Sequence, residues 1–492
     1  MGKRLDEVVS DLYQKDPERE YLWWNGEWWS RARFNTTVNK LEKVLSEAGF
    51  EGGQRLVTML PNSPLLLALS VACWRLSGTI VPLNLQAGPH SLVRSIRHAD
   101  PFVILVPDSV PFDEESLGSM GIPVVKGDLN GNIPSFHGEK RTSSRLDVAV
   151  MFYTSGTTGL PKAVPLSGTN IYSNVEAAAK HFSAFKPEEC IILNALPNFH
   201  TLGYSTSGLL PLLTGARQVV LPHFMPPDRT LQTINATGVN FIIAVPAMIS
   251  LLVAAAAKGN VPAPKTITTI VSGGDRFPMA LDNRVRAIFG VEVMEGYGLT
   301  ECSPVVAVNP DRARRKIGTV GTLLPGFEYE IRDESGKVLP SDKEGVLWLR
   351  GPSVAQEYFN DPENTAQKFK DGWFDTGDVV RIDSEGYISI VDRVSDIIIV
   401  GGFNVYPQEV EEVLNSYPGI KESAVVGVPH SMSGQIVKAF VIRSNPKVTS
   451  KELYAYCKAQ LAHYKTPRIF EFVEDFPRNS IGKVLRRKLR EG

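Results

Sequence analysis

Between residues 154 and 162 the chain reads TSGTTGLPK. Thr154, Ser155, Thr157 and Thr158 carry hydroxyls, Gly156 and Gly159 let the backbone turn tightly, and Lys162 adds a cation. Hydroxyls, N–H groups and an ammonium gathered on one loop suit a polyphosphate. The P-loop pattern does not fit, because Lys162 follows Leu160-Pro161 and the two glycines stand too close. The same residues also compose an ordinary turn between two strands.

Further along stands EGYGLTE, Glu295 to Glu301. Gly296 and Gly298 flank Tyr297, so a flat ligand can approach the backbone and stack on the ring. Thr300 and Glu301 supply a hydroxyl and a carboxylate, a donor pair suited to hydrated Mg²⁺ on phosphate oxygens. Gly273-Gly274 follow a short apolar run, where open sheets bind their ligands. In GWFDTGD, Asp378 can accept hydrogen bonds from both hydroxyls of a ribose. Arg393 can contact ribose or phosphate, and Lys483 stands behind Gly482 in a polar loop as a cation that can be brought to a reaction centre. Taken singly, each also has a plain reading: a core tyrosine, a solvated turn aspartate, a surface linker, an exposed lysine.

These residues need a scaffold. The run Val148 to Tyr153 reads as a buried strand entering the first loop, and a helix is expected to begin near Ser167 to Thr169, after the connector Val164-Pro165-Leu166. Asn35 to Ala48 has helical apolar spacing, with Asn35 or Thr36 as its cap. Leu65 to Val81 reads as a buried helix running into a strand. Short apolar runs at 102–106, 191–193, 218–221, 241–245 and 269–271 alternate with helical stretches, the pattern of parallel sheets covered by helices. From about Gly318 short strands and turns suggest a β-rich subdomain. The polar Asp392 to Asp396 segment marks a boundary, which divides the chain into 1–391 and 392–492.

A chain of 492 residues exceeds one compact core, and 43% hydrophobic with 21% charged residues is an ordinary globular composition. A net charge of -1 gives no basic footprint for nucleic acid. Cys73, Cys190, Cys302 and Cys457 have no metal-ligand spacing and read as buried thiols. No transmembrane segment is expected, and the polar N-terminus lacks a signal core; the expected location is cytoplasmic.

Read in order, YTSGTTGLPKAV, PNFHTLG, EGYGLTE, WFDTGD, DRVSDIIIVGGFNVYPQEVE and NSIGKV resemble the adenylate-forming superfamily of acyl-CoA synthetases, peptide-synthetase adenylation domains and luciferases. The likeness runs from about residue 150 to the end, and LPNSPLLLALSVACWRLSGTIVPLN is similar to that family's first subdomain. The central segments are most similar to acyl-ACP synthetases and the C-terminal part to fatty acyl-CoA ligases, so coenzyme A and acyl carrier protein both stand as thiol acceptors.

The resemblance implies an α/β fold: a large N-terminal domain of two parallel-sheet α/β subdomains plus a β-rich subdomain, with a small mobile α+β C-terminal domain. It implies an AMP-forming ligase using ATP, Mg²⁺ and CoA. Lys483 would bridge acyl carboxylate and phosphate, Thr154 to Lys162 would hold the pyrophosphate part, and Glu301 with Thr300 would hold Mg²⁺. Tyr297 would stack on adenine, with Gly273, Gly274, Glu295, Gly296 and Gly298 around it, and Asp378 and Arg393 would take the ribose hydroxyls. Asn404, with Gly401-Gly402-Phe403, would line the tunnel for the phosphopantetheine arm. Ser395 matches the pivot position, where the family usually has Asp or Lys, and His200 matches a pocket-side position.

The stretches expected to line the acid pocket, 196–210, 241–248 and 303–308, are apolar, small or hydroxylic. Burying an ammonium there would be costly, which favours a neutral-tailed acid, a medium or long fatty acid, with an aryl acid as the alternative. Asp275 is the one nearby carboxylate that weakens this argument. A catalytically silent nucleotide-binding scaffold is the reading from another class.

Overall fold

The computed structural model describes residues 4–87, 89–109, 121–141, 147–154, 162–183, 185–340, 342–394, 396–400, 403–430, 433–479 and 482–491. The chain divides into two compact units, Met1–Glu328 with Arg350–Phe374, and Tyr329–Leu349 with Asp375–Gly492.

The first unit holds two sheets. One has six strands among the described residues, in the order Val124–Gly127, Val103–Pro107, Arg55–Thr58, Thr79–Pro82, Val148–Thr154 and Lys162–Ser167. They are parallel except for the last, which returns antiparallel to Val148–Thr154. Residues 164–166, expected as a connector, are therefore a strand, because pairing with Val148–Thr154 satisfies their backbone. The helix that follows, Gly168–His181, starts where expected, with a reciprocal capping box between Ser167 and Asn170.

The other sheet has nine strands among the described residues. Its order is Thr322–Leu323, Val305–Val308, Val293–Gly298, Thr269–Ser272, Phe241–Ala244, Ile191–Asn194, Arg217–Val220, Glu20–Trp24 and Glu27–Ser30. The middle is parallel and both margins are antiparallel. Strands such as Val103–Pro107 and Phe241–Ala244 are buried at every residue, which is why they read as unbroken apolar runs. Pro64–Arg75 is the buried helix expected at that place, opened by Ser63, whose hydroxyl accepts from the Leu66 N–H. The helix expected at Asn35 starts earlier, at Arg31. Ser30 caps it by accepting from the Arg33 N–H at 3.2 Å, so neither Asn35 nor Thr36 is the cap. Phe34, Val38, Leu41 and Leu45 bury its inner face.

In the second unit, Gly345–Arg350 lies between Glu328–Arg332 and the strand Trp373–Ile382, and Ile388–Arg393 pairs antiparallel with residues 378–382. This is the β-rich part. A second sheet is built on the hairpin Ile420–His430 and Gly434–Arg443, flanked by Ile398–Val400, Phe403–Val405 and a parallel Ile469–Phe472. Helices Pro407–Asn415 and Ser450–Gln460 cover it around Val410, Leu414, Val425, Val441 and Leu453. Arg486 fastens the last helix, Arg486–Glu491, to Glu411 at 2.8 Å. The whole is the expected α/β class with parallel N-terminal sheets, β-rich sheets and a small C-terminal domain.

Candidate active site

Strands Phe241–Ala244, Thr269–Ser272 and Val293–Gly298 end on one edge, with Ala244 beside Ser272 and Ser272 beside Glu295. Ligands of such sheets bind beyond the carboxyl ends. Gly273 comes next; its N–H donates to the Ala244 carbonyl, and a Cβ there would sit 3.7 Å from the Gly296 oxygen. Gly274 has φ +83°, a conformation that favours glycine. Gly298 cannot carry a side chain, since a Cβ would lie 2.2 Å from the Pro304 oxygen. The cause is the antiparallel return of Val305–Val308 against Gly296–Gly298. Tyr297 and Glu295 are half-buried on this edge. Burial pushes the Glu295 carboxyl up to about 7, against the pull of Arg315 and Arg276.

The short turn Thr300–Cys302 follows. Asn174 holds it: its Nδ2 donates to the carbonyls of Cys302 and Val305, and its Oδ1 accepts from the Val305 N–H. The Glu301 carbonyl accepts from the Ala355 N–H at 2.7 Å. Its carboxylate accepts from the Tyr358 hydroxyl at 2.8 Å, and the Lys162 ammonium lies 4.9 Å from the centre of the Tyr358 ring. Burial lowers the Lys162 pKa, with Lys368 acting in the same direction and Asp361 and Glu301 opposing. Thr154 faces Lys162 across the strand pair, and its hydroxyl donates to the Lys162 carbonyl. Ser155, Gly156, Thr157, Thr158 and Gly159 lie outside the described residues.

The first unit thus brings Lys162 and Glu301 onto one tyrosine, and Thr300 and Glu301 follow directly on the Glu295–Gly298 edge. Among the described residues no group of three or more His, Cys, Asp or Glu forms a closed cage for a metal. One carboxylate with a neighbouring hydroxyl suits Mg²⁺, which keeps its waters and binds phosphate oxygens, so Glu301 and Thr300 fit that ion.

His200 opens the helical segment that runs through a π-helical stretch, Gly203–Leu209. Its Nδ1 accepts from the Leu202 N–H at 3.2 Å, which puts the ring proton on Nε2. The Leu202 side chain would meet a Cβ at Gly273 at 3.8 Å, so this segment borders the same edge. Asp275 is exposed and accepts from the adjacent Arg276 N–H.

In the second unit Asp378 lies in the strand Trp373–Ile382, 1% exposed, and not in a solvated turn. It faces Arg393 in the strand pair and forms an ion pair with it at 2.8 Å. Lys483 stands in a tight turn: its N–H donates to Asn479 Oδ1 at 2.9 Å, and its carbonyl accepts from the Asn479 N–H. Gly482, at φ +86°, makes that turn. Asn404 pairs with Ile399 on a strand, and Ser395 lies outside the described residues.

Four participants were not apparent in the sequence. Tyr358 and Asn174 sit in stretches with no motif, and their partners lie 57 and 128 residues away. Asp282 and Arg315 form a buried pair at 2.9 Å behind Glu295. No spacing rule connects such residues; only the folded sheets do.

The AMP-binding enzyme family matches residues 10–359, and the AMP-binding enzyme C-terminal domain matches residues 409–483. A long-chain-fatty-acid–CoA ligase of Bacillus subtilis (strain 168) is 30% identical over all of this chain and 94% of its own length. A ligase of the same name from Yersinia pestis is 35% identical over 70% of this chain, and the match spans 61% of the Yersinia protein. A feruloyl-CoA synthase from Amycolatopsis is 31% identical over 93% of both chains. ATP-bound MatB from Rhodopseudomonas palustris superposes with a TM-score of 0.88 at 30% identity, covering 100% of this chain and 99% of its own. MenE, the o-succinylbenzoate CoA synthetase of Bacillus subtilis, in complex with ATP and magnesium, gives 0.85 at 28% identity and 99% coverage of both. A glycine-lined sheet edge, a lysine–tyrosine–glutamate cluster beside it and two matching family domains have one reading: the chain belongs to the AMP-binding enzymes of the adenylate-forming superfamily.

Proposed function

We propose that the chain is an ATP-dependent acid–thiol ligase that activates a medium or long fatty acid and forms its CoA thioester. The acid's carboxylate attacks the α-phosphorus of ATP, pyrophosphate leaves, and a thiol then displaces AMP from the acyl-adenylate. The observation that carries this reading is the edge at Gly273 and Glu295–Gly298, where parallel strands of the sheet end and the turn carrying Thr300 and Glu301 follows directly. Mg²⁺, when bound, offsets phosphate charge.

An anion must approach a polyanion, so this chain's part is to gather positive charge and donors. Lys162 is assigned to the phosphates leaving as pyrophosphate, Glu301 and Thr300 to the metal, and Tyr297 to the adenine face. The Asp378–Arg393 pair is assigned to the ribose, and Lys483 to the charge that builds where carboxylate meets phosphorus. Ser395 as pivot and Asn404 at the thiol tunnel belong to the second half-reaction, as does the division of labour between 1–391 and 392–492. The thiol is assigned to CoA, as in the names of the relatives, with acyl carrier protein as the rival acceptor.

The fatty-acid assignment draws on buried Leu196, Leu209, Ile243 and Met248 in the segments assigned to the pocket. Asp275, exposed in its own turn, offers no buried partner for a substrate ammonium. An aryl acid with a polar substituent is the second reading. It is favoured by the buried hydroxyls of Thr201, Ser205 and Ser207, which have no hydrogen-bond partner among the described residues. ATP–pyrophosphate exchange over a panel of alkyl and hydroxylated aryl acids tests both. Exchange with alkyl acids is expected; exchange with aryl acids alone moves the assignment, and none with any acid favours a silent scaffold.

A further inference from the structure

We infer that Tyr358 is a positioning residue that holds Lys162 and Glu301 apart and keeps both available to an incoming nucleotide and its metal; this rests on the roles given above to those two residues. Tyr358 is 4% exposed, and its ring packs edge-on against Phe369 at 5.5 Å. Its hydroxyl donates to one Glu301 oxygen at 2.8 Å, while its face receives the Lys162 ammonium at 4.9 Å. Without the ring between them, an ammonium and a carboxylate that both touch it would be drawn together and neutralise each other. With it, the ammonium rests on a quadrupole that does not quench its charge, and the carboxylate keeps acceptor capacity beyond the one bond.

The segment carrying Tyr358 is itself tied down. The Phe359 N–H donates to the Ala163 carbonyl at 2.8 Å, and the Ala355 N–H donates to the Glu301 carbonyl at 2.7 Å. Asn170 Nδ2 donates to the carbonyls of Pro352 and Val354, and Ser303 Oγ donates to the Ser353 carbonyl. Residues 352–359 thus bracket the strand that carries Lys162 to the turn that carries Glu301. Tyr358 touches the two functional groups and is assigned no contact with reactants.

The test is Mn²⁺ binding followed by electron paramagnetic resonance, with a non-hydrolysable ATP analogue, alongside analogue binding without metal. Wild type, Tyr358→Phe, Tyr358→Leu and Glu301→Gln are compared, with melting temperatures. Tyr358→Phe keeps the ring and loses the bond to Glu301. It is expected to weaken Mn²⁺ binding about tenfold, the scale of one hydrogen bond to a charged group, with metal-free analogue binding unchanged. Tyr358→Leu is expected to weaken both, because Lys162 then pairs with Glu301. Wild-type Mn²⁺ affinity in Tyr358→Phe beside a weakened Glu301→Gln overturns the positioning role alone. Wild-type affinity in Glu301→Gln overturns the metal assignment, and the inference with it. Should Tyr358→Leu fail to fold, Tyr358→Phe still decides.

Discussion

Glu295 carries a pH dependence that follows from its burial. Its folded pKa is about 7, against an ordinary value of 4.5. Between those values the folded chain holds a proton that the unfolded chain has lost, so stability falls as pH rises across that window. The penalty is complete above about pH 7 and amounts to a few kcal/mol at most. Glu295→Gln should remove that slope, which melting temperatures from pH 5 to 8 will show as a flatter profile. Lys483→Ala should cut adenylation by about 10²–10³-fold, the usual cost of one charge-stabilising donor, and leave thioester formation from premade acyl-adenylate largely intact. Single-turnover assays of each half separate the two; equal loss in both would contradict the role. In EGYGLTE the need for glycine was legible, and the Pro304 oxygen leaves no room for a Cβ at Gly298; taken singly, the same residues also admit a plain strand-to-loop turn. Asp378 was less legible. Its sequence admits a turn, and only the pairing with Arg393 makes it a buried strand residue.

Elements with strong periodicity or long apolar runs were read correctly from the chain, as Pro64–Arg75 and Val103–Pro107 show. Their ends depended on neighbours. The helix after Glu27–Ser30 begins at Arg31 because Ser30 ends that strand and caps the helix in one step. Lys162–Ser167 is a strand because a partner lies beside it; its own sequence, with Pro165, gives little sign of one. Asn174 shows the same limit, since the turn it supports is assembled from distant segments. It is 1% exposed and serves three backbone groups, so Asn174→Ala should destabilise the first unit by about 2–4 kcal/mol. A lowered denaturant midpoint with unchanged slope would register that loss; a midpoint equal to wild type would refute it.

At the scale of the whole molecule, the division into two units puts residues 329–349 and 375–391 with the C-terminal part. Within that unit the two segments pair with each other in one sheet, and such pairing leaves no mark in composition. All four cysteines are buried and none is in a disulfide, and burial pushes the Cys457 thiol up to about 11. Ellman's reagent should therefore react slowly with the native protein and count all four thiols only after denaturation; rapid labelling of the native chain would contradict the packing. Among the described residues no helix is long and apolar enough to cross a membrane. The central claim is that a carboxylate oxygen attacks the α-phosphorus of ATP. Supplying the acid with both carboxyl oxygens as ¹⁸O, together with ATP and CoA, and weighing the products by mass spectrometry tests it most directly. AMP carrying one ¹⁸O is the result this account predicts; unlabelled AMP, or label found in ADP or phosphate, would contradict it.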